Sequence, residues 1–181
     1  LIYGDFENLV FQGYSLAMPI LGTKKTLRHI SSSSATPLAW MAQHYRPERM
    51  VVFCQGNLSP ERVFHLAERE FGSVQASVET IERTAPMAIP TAEISFRKHT
   101  HQTHVMLGNR AYPLGHEYQL PLYLLNNILG GGSLNSRLNI SLRESRGLVY
   151  TIESTYTPLS DTGYWCIYFA CEPEYFDRCL D

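Results

Sequence analysis

Three consecutive glycines, Gly130 to Gly132, constrain the fold of this chain more than any other feature of its sequence. Glycine loses much conformational freedom on ordering, so it favours positions of positive φ or of close approach to another backbone or a ligand. A helix does not need three of them, and the pattern therefore predicts that an apolar helix over 117–129 ends here. Taken alone, such a loop is typical of an ordinary helix-to-strand connection.

The residues after the glycines predict a second helix and then a strand. Ser133 can cap this helix. An apolar stripe follows at helical spacing in Leu134, Leu138 and Leu142. Arg143 falls in the last turn and Gly147 ends the helix. Alternating apolar residues then predict a strand at Leu148, Tyr150 and Ile152.

The rest of the chain alternates between helical and strand patterns. Further helices are predicted at 3–12, at 23–30, from Pro37 to just before Pro47, and from Pro60 to Phe71. Ser59 is the expected cap of the last of these, Gly72 its stop, and its expected buried stripe is Val63, Leu66, Ala67 and Phe71. Strands are predicted at 49–55, 93–99 and 102–109, and as a hairpin at 148–157/162–171. Helices segregated from mostly antiparallel strands indicate an α+β class.

Two segments lack any sustained period. The serine run 31–34 predicts a loop, because serine side chains offer the backbone alternatives to helix hydrogen bonds. Residues 73–92, which contain Pro86 and Pro90, predict a linker between two domains.

Composition excludes several classes of function. With 181 residues, 44% of them hydrophobic, the chain can bury a good core. The net charge of −2 and the absence of a basic run give no electrostatic footprint for nucleic acid. No apolar run is long enough to predict a membrane span. The chain begins with Leu1 and stops at the start of a predicted helix, so we expect it to be a fragment.

The four cysteines show no metal-binding or redox CxxC spacing. They are Cys54, Cys166, Cys171 and Cys179. Cys54 lies in the apolar run of strand 49–55, where a thiol behaves as a small hydrophobe. Cys166 and Cys171 are predicted to point to opposite faces of one strand, which rules out a simple pairing between them. We therefore expect four buried thiols, which mildly favours a reducing, cytoplasmic compartment, although the sequence does not fix the localisation.

Four separated blocks of the sequence resemble the pitrilysin/insulinase family of zinc metallopeptidases, the inverzincins, which includes the mitochondrial processing peptidase. Blocks 18–30 (MPILGTKKTLRHI) and 44–63 are similar to the second half of the family's first domain. Blocks 129–138 (LGGGSLNSRL) and 142–150 (LRESRGLVY) are similar to its second domain. The resemblance implies tandem α+β domains: 1–72 as the C-terminal half of the zinc-binding domain, 73–92 as a linker, and 93–181 as part of the substrate-contacting domain.

The resemblance also implies site residues. In active family members an arginine and a tyrosine of the second domain reach the substrate, and the matching positions are Arg143 and Tyr150. A phenol and a guanidinium are donors that stabilise the negative charge formed when a peptide carbonyl is hydrated. Gly130, Gly131 and Gly132 would let the backbone approach the substrate.

Two histidine patterns invite a metal interpretation. The string from His65 to Arg69, HLAER, differs by one residue from the family's zinc motif H-x-x-E-H, but an arginine cannot ligate zinc. Coincidence is therefore favoured. His99, His101 and His104 form a denser group, yet His104 has the opposite strand parity and no carboxylate accompanies them, which favours solvated or interface histidines.

We therefore predict that the chain is part of a zinc-dependent metalloendopeptidase, a hydrolase, and that this segment is inactive alone and holds no metal. Zinc is expected in the full-length protein, at residues that the resemblance places before Leu1. The expected partners are a peptide or unfolded polypeptide substrate and the rest of the same protein, as a homodimer or heterodimer, without nucleic acid or membrane. The alternatives are a non-catalytic family member that acts as a partner or structural subunit, and a self-contained binding module.

Overall fold

The computed structural model describes residues 2–31, 35–76, 84–86 and 91–181, and within them the chain forms six α-helices and three β-strands. The helices are α1 (Ile2–Val10), α2 (Lys24–Ser31), α3 (Ala35–His44), α4 (Pro60–Phe71), α5 (Gln119–Gly130) and α6 (Phe176–Leu180). The strands are β1 (Thr103–Arg110), β2 (Val149–Pro158) and β3 (Gly163–Cys171). The chain forms two compact units, one of residues 1–20 with 83–181 and one of residues 21–82.

The three strands of the first unit form one antiparallel sheet in the order β1-β3-β2. β2 and β3 make a hairpin in which Pro158 lies opposite Gly163, and β3 pairs with β1 along its other edge. The predicted hairpin and the predicted strand 102–109 are thus confirmed to within one or two residues. Helices packed against an antiparallel sheet confirm the α+β class.

One face of the sheet carries the larger of two buried clusters, here called the Phe169 core. Its members are Leu142, Leu148, Val149, Ile152, Phe169, Cys171 and Cys179. They come from the chain segment just before β2, from both hairpin strands and from α6. This core therefore fixes the start of β2 against the elements on either side of it.

The opposite face carries the Phe11 core, in which α1 packs on the sheet. Its members are Phe6, Val10, Phe11 and Cys166. Gly108 of β1 lies tightly between β3 and α1, because an added Cβ atom would overlap the Trp165 carbonyl oxygen and lie 2.7 Å from Cζ of Phe6. Arg110 secures the end of α1 by donating from Nε to the Val10 carbonyl at 3.0 Å, where a cation also favours the helix dipole.

The second unit contains α2, α3 and α4, and none of its described residues is buried. α4 begins as predicted: Ser59 Oγ accepts a hydrogen bond from the Arg62 amide at 3.3 Å, and Pro60 is the first helical residue. Its predicted buried stripe is wrong, because only Val63 and Ala67 are even half-buried. The described elements around α4 leave its large apolar side chains exposed.

Two predicted strands are not formed. Residues 49–55 and 93–99 pair with no described strand, and Val51 is 94% exposed. A strand needs a neighbour to satisfy its backbone groups, and these segments have none within the described residues. Cys54 is exposed for the same reason, so the prediction of four buried thiols is wrong for that residue.

Some predictions fall outside the described residues. Ser31 ends α2, but the other three positions of the predicted serine loop are among the residues that are not described. Of the predicted linker 73–92, only 73–76, 84–86 and 91–92 are described, without helix or strand. No helix in the described part of the chain is both long and apolar enough to cross a lipid bilayer.

Candidate functional site

Tyr150 lies at the start of β2 in a β-bulge. Val149 pairs with Cys171 and Thr151 pairs with Ala170, so Tyr150 is an extra residue without a direct partner. A bulge redirects the side chain that it contains. Tyr150 is consequently 62% exposed, while Val149 is buried, and the expectation that Tyr150 shares a face with Leu148 and Ile152 is wrong.

The hydroxyl of Tyr150 has one neighbouring acceptor. It donates to Oε1 of Glu172, the residue after β3, at 3.3 Å. This bond joins two exposed side chains at the end of the hairpin. The Tyr150 ring is therefore not packed within the sheet.

Arg143 lies in a π-helical segment, Asn139–Glu144, that the sequence did not predict. Its wider turn is seen in the 2.9 Å hydrogen bond from the Ser145 amide to the Ile140 carbonyl, five residues back. Such segments occur frequently at functional sites. The Arg143 side chain is 43% exposed, and its Nε lies 3.9 Å from Oε1 of Glu144, an exposed ion pair that contributes little to stability.

A tight turn connects Arg143 to Tyr150. Gly147 has a φ of +60°, as predicted for a helix-ending glycine, and its amide donates to the Arg143 carbonyl at 3.0 Å. The Leu148 amide donates to the Leu142 carbonyl at 2.9 Å. The backbone between the two predicted site residues is thus held by hydrogen bonds at both ends of the turn.

The three consecutive glycines have three different environments, and none of them has positive φ. Gly130 packs against β2, where an added Cβ would lie 2.8 Å from the Ser154 amide nitrogen. Gly131 packs on its own helix, where an added Cβ would lie 2.6 Å from Oδ1 of Asn127. Gly132 has no neighbour within 4 Å of such an atom, so its surroundings are open.

A buried polar network joins α5 to the hairpin, and no sequence pattern revealed it. Asn126 donates from Nδ2 to the Ser154 carbonyl at 3.0 Å and accepts at Oδ1 from the Ser154 hydroxyl at 2.5 Å. Trp165 donates from Nε1 to the same hydroxyl at 2.9 Å. Asn126 and Asn127 are adjacent in the largely apolar sequence of α5, which does not show which of the two is buried.

A second asparagine supports β2 from the π-helical segment. Asn139 is buried and donates from Nδ2 to the Ser136 hydroxyl at 2.8 Å and towards the Ile152 carbonyl at 3.4 Å. Two side-chain amides therefore satisfy carbonyls of β2, which is an edge strand of the described sheet. Asn139 thus joins the strand that carries Tyr150 to the segment that carries Arg143, and Asn126 joins that strand to α5.

The histidines do not form a metal centre. No group of three or more His, Cys, Asp or Glu side chains among the described residues is arranged to hold a metal ion. His65 lies 3.8 Å from Glu68 on the exposed side of α4, and His104 is hydrogen-bonded through Nδ1 to the Tyr168 hydroxyl at 2.9 Å. The described residues thus do not fit a catalytic zinc, which needs three protein ligands and an open position.

The fold and these sites define a helix-covered antiparallel sheet with an exposed arginine and tyrosine beside its hairpin. Residues 38–181 match the family model described as the peptidase M16 inactive domain, and the chain belongs to that family. The resemblance to the pitrilysin/insulinase zinc peptidases is thereby confirmed.

Relatives with similar sequences are named as zinc proteases. The chain is 33% identical to the protein named uncharacterized zinc protease YmxG of Bacillus subtilis, with 93% of this chain and 40% of the relative covered. It is 32% identical to an uncharacterized zinc protease of Mycobacterium leprae, with 96% and 39% covered. The chain therefore spans about 40% of the length of the curated relatives it matches.

Solved structures share the fold. A peptidase M16 inactive domain from Pseudomonas fluorescens superposes with a TM-score of 0.77 at 24% identity, covering 98% of this chain and 43% of that one. A chain of complex III2 from Candida albicans superposes with a TM-score of 0.76 at 18% identity, covering 96% and 42%. At these identities the likeness concerns the fold alone.

Proposed function

We propose that this chain is part of a zinc-dependent metalloendopeptidase and supplies a wall that contacts the substrate. The zinc and its ligands belong to residues of the longer protein outside this chain. The observation that carries the proposal is the exposure of Tyr150 in a β-bulge. The chain that contains this bulge belongs to the peptidase M16 family. A bulge that turns a large phenol into solvent has no evident value for the packing of the sheet.

In this proposal Tyr150 and Arg143 act on the peptide backbone of the substrate. Hydration of the scissile carbonyl places negative charge on its oxygen, and the Tyr150 hydroxyl donates a hydrogen bond to it. The guanidinium of Arg143 can hold a substrate carbonyl or carboxylate with two parallel donors. Gly132, whose surroundings are open, is the glycine that best suits a close approach of substrate.

The substrate in this proposal is a peptide or an unfolded polypeptide, bound with the help of the rest of the same protein. The proposal keeps residues 1–72 as part of the zinc-binding domain, residues 73–92 as a linker, and residues 93–181 as part of the substrate-contacting domain. A homodimer or heterodimer would complete the substrate chamber if the longer protein supplied only one wall. The comparison with a chain of complex III2 supports the second candidate function, a non-catalytic partner or structural subunit.

Peptide hydrolysis by the full-length protein distinguishes the two functions. Under the first, a quenched fluorescent peptide is cleaved, a chelator abolishes cleavage, and Tyr150→Phe with Arg143→Ala lowers turnover without unfolding the protein. Under the second, the folded protein shows no cleavage with zinc added and copurifies with another subunit in a fixed ratio. Activity that is unaffected by both substitutions would remove the assignment of the site.

A further inference from the structure

Two thiols, Cys171 and Cys179, are buried in the same cluster, the Phe169 core. Cys171 is the last residue of β3 and has no exposed surface, whereas Cys179 lies in α6 and is 9% exposed. Burial raises the pKa of Cys171, and the neighbouring Cys179 thiol raises it further, as expected for two thiols within one buried cluster. The 3₁₀ turn Pro173–Tyr175 connects β3 to α6, and Cys179 of α6 packs in the same cluster as Cys171.

The other two cysteines are placed differently. Cys166 belongs to the Phe11 core on the opposite face of the sheet, and Cys54 is exposed in the unit of residues 21–82. The sequence prediction that Cys166 and Cys171 face opposite ways is therefore confirmed. It leaves Cys179 as the thiol that shares a core with Cys171.

We propose that Cys171 and Cys179 form a reversible disulfide when the protein meets a peroxide, which ties the end of β3 to α6. The Cys179 thiolate attacks one peroxide oxygen, the O–O bond breaks, and a sulfenic acid and hydroxide form. The Cys171 sulfur then attacks the sulfenic sulfur, which forms the S–S bond and releases water. Two thiols lose two electrons and two protons, and the peroxide becomes two molecules of water.

The order of the two thiols follows from their surroundings. Burial, together with the adjacent Cys179 sulfur, raises the pKa of Cys171 to about 11, so Cys171 stays protonated at neutral pH. The thiolate is the form that attacks a peroxide. Cys179 is the more accessible of the two and lies in a helix of only five residues, which can open locally more easily than a sheet strand. Cys179 is therefore the attacking thiol and Cys171 the resolving one.

The experiment oxidises the full-length reduced protein with hydrogen peroxide, blocks the remaining thiols, and maps the products by proteolysis and mass spectrometry. The expected result is a peptide pair linked through Cys171 and Cys179 that is lost on reduction with dithiothreitol. Oxidation should also raise the melting temperature, because the link restricts the unfolded chain. Oxidation of Cys54 alone, or links between molecules only, would overturn the proposal.

Single substitutions sharpen the result. In Cys171→Ser, the sulfenic acid of Cys179 has no resolving partner and should be trapped by dimedone. In Cys179→Ser, Cys171 should resist the same peroxide treatment and the shift in melting temperature should vanish. Cys54→Ser is the matched control and should leave the linked pair unchanged. If a serine variant does not fold, the linkage measured in the unsubstituted protein still decides the question.

Discussion

The hydroxyl of Tyr150 donates a hydrogen bond to the carboxylate of Glu172, with 3.3 Å between Oη and Oε1. This distance is longer than the usual range of about 2.5–3.0 Å for an O–H···O bond, and both side chains are exposed. Such a bond holds the phenol weakly, so the phenol can exchange Glu172 for another acceptor. In the proposed function that acceptor is the oxygen of the substrate carbonyl.

Replacing Tyr150 with phenylalanine removes this donor and little else. If the hydroxyl stabilises the oxyanion, kcat of the full-length enzyme should fall by roughly 10- to 1000-fold, as for the loss of single oxyanion donors. The melting temperature should change little, because the ring is mostly exposed. Steady-state kinetics and a melting curve on the same preparation check both statements.

Tyr123→Phe is a suitable control for Tyr150→Phe, since Tyr123 is an exposed tyrosine of α5. It should leave kcat unchanged. A fully folded Tyr150→Phe enzyme with normal kcat would contradict the catalytic role of this hydroxyl.

Arg143 is predicted to bind the substrate before the reaction as well as during it. Arg143→Ala should therefore raise KM in addition to lowering kcat. Its loss should cost little stability, because the only ion pair described for it is long and exposed. Arg146→Ala, an exposed arginine of the same turn, serves as control and should leave KM unchanged. Equal effects of the two substitutions would point to general electrostatics rather than to a specific contact.

Local sequence signals predicted the helices well. α4 begins at Pro60 after a Ser59 cap and is followed by Gly72, as expected, because capping depends on residues within one turn of each other. The hairpin was predictable in the same way, from alternating residues around a short turn. Strand 49–55 was predicted but is not formed, since a strand needs a neighbouring strand, and the local sequence does not show whether one is present.

The sequence proposed residues for the candidate site but not their local geometry. The resemblance implied Arg143 and Tyr150, and alternation placed Tyr150 on one strand face with Leu148 and Ile152. The bulge at Tyr150 reverses that, and it arises from the pairing of β2 with β3, which is a non-local property. The buried amides of Asn126 and Asn139 were not predicted, because the residue type alone does not show whether an asparagine is buried.

The glycines offer a prediction about stability that needs no substrate. Gly130→Ala places a Cβ atom 2.8 Å from the backbone nitrogen of Ser154, so α5 or β2 must move. Overpacking of this kind typically costs about 1–3 kcal/mol of unfolding free energy. Urea unfolding of the variant should show this loss.

Gly132→Ala is the matched control and should change stability by less than about 1 kcal/mol, because its surroundings are open and its φ is not positive. Equal losses in both variants would contradict the assignment of the cost to the close packing of Gly130 against β2.

The contact between Asn126 and Ser154 should be strongly coupled. Asn126→Ala leaves the buried Ser154 carbonyl without its side-chain donor, and Ser154→Ala leaves Asn126 Oδ1 and Trp165 Nε1 without the hydroxyl. Each change should cost about 1–3 kcal/mol of unfolding free energy, the usual cost of an unsatisfied buried polar group.

The double variant Asn126→Ala with Ser154→Ala tests whether these two residues act as one unit. Its loss of unfolding free energy should be smaller than the sum of the single losses by about 0.5–3 kcal/mol, since either substitution alone already breaks the hydrogen bond from the Ser154 hydroxyl to Asn126 Oδ1. Asn127→Ala, an exposed asparagine of the same helix, should show no coupling to Ser154→Ala. Urea unfolding of the four proteins in each cycle measures both quantities. Strict additivity would mean that α5 is held on β2 by the close packing of Gly130 rather than by this hydrogen-bond network.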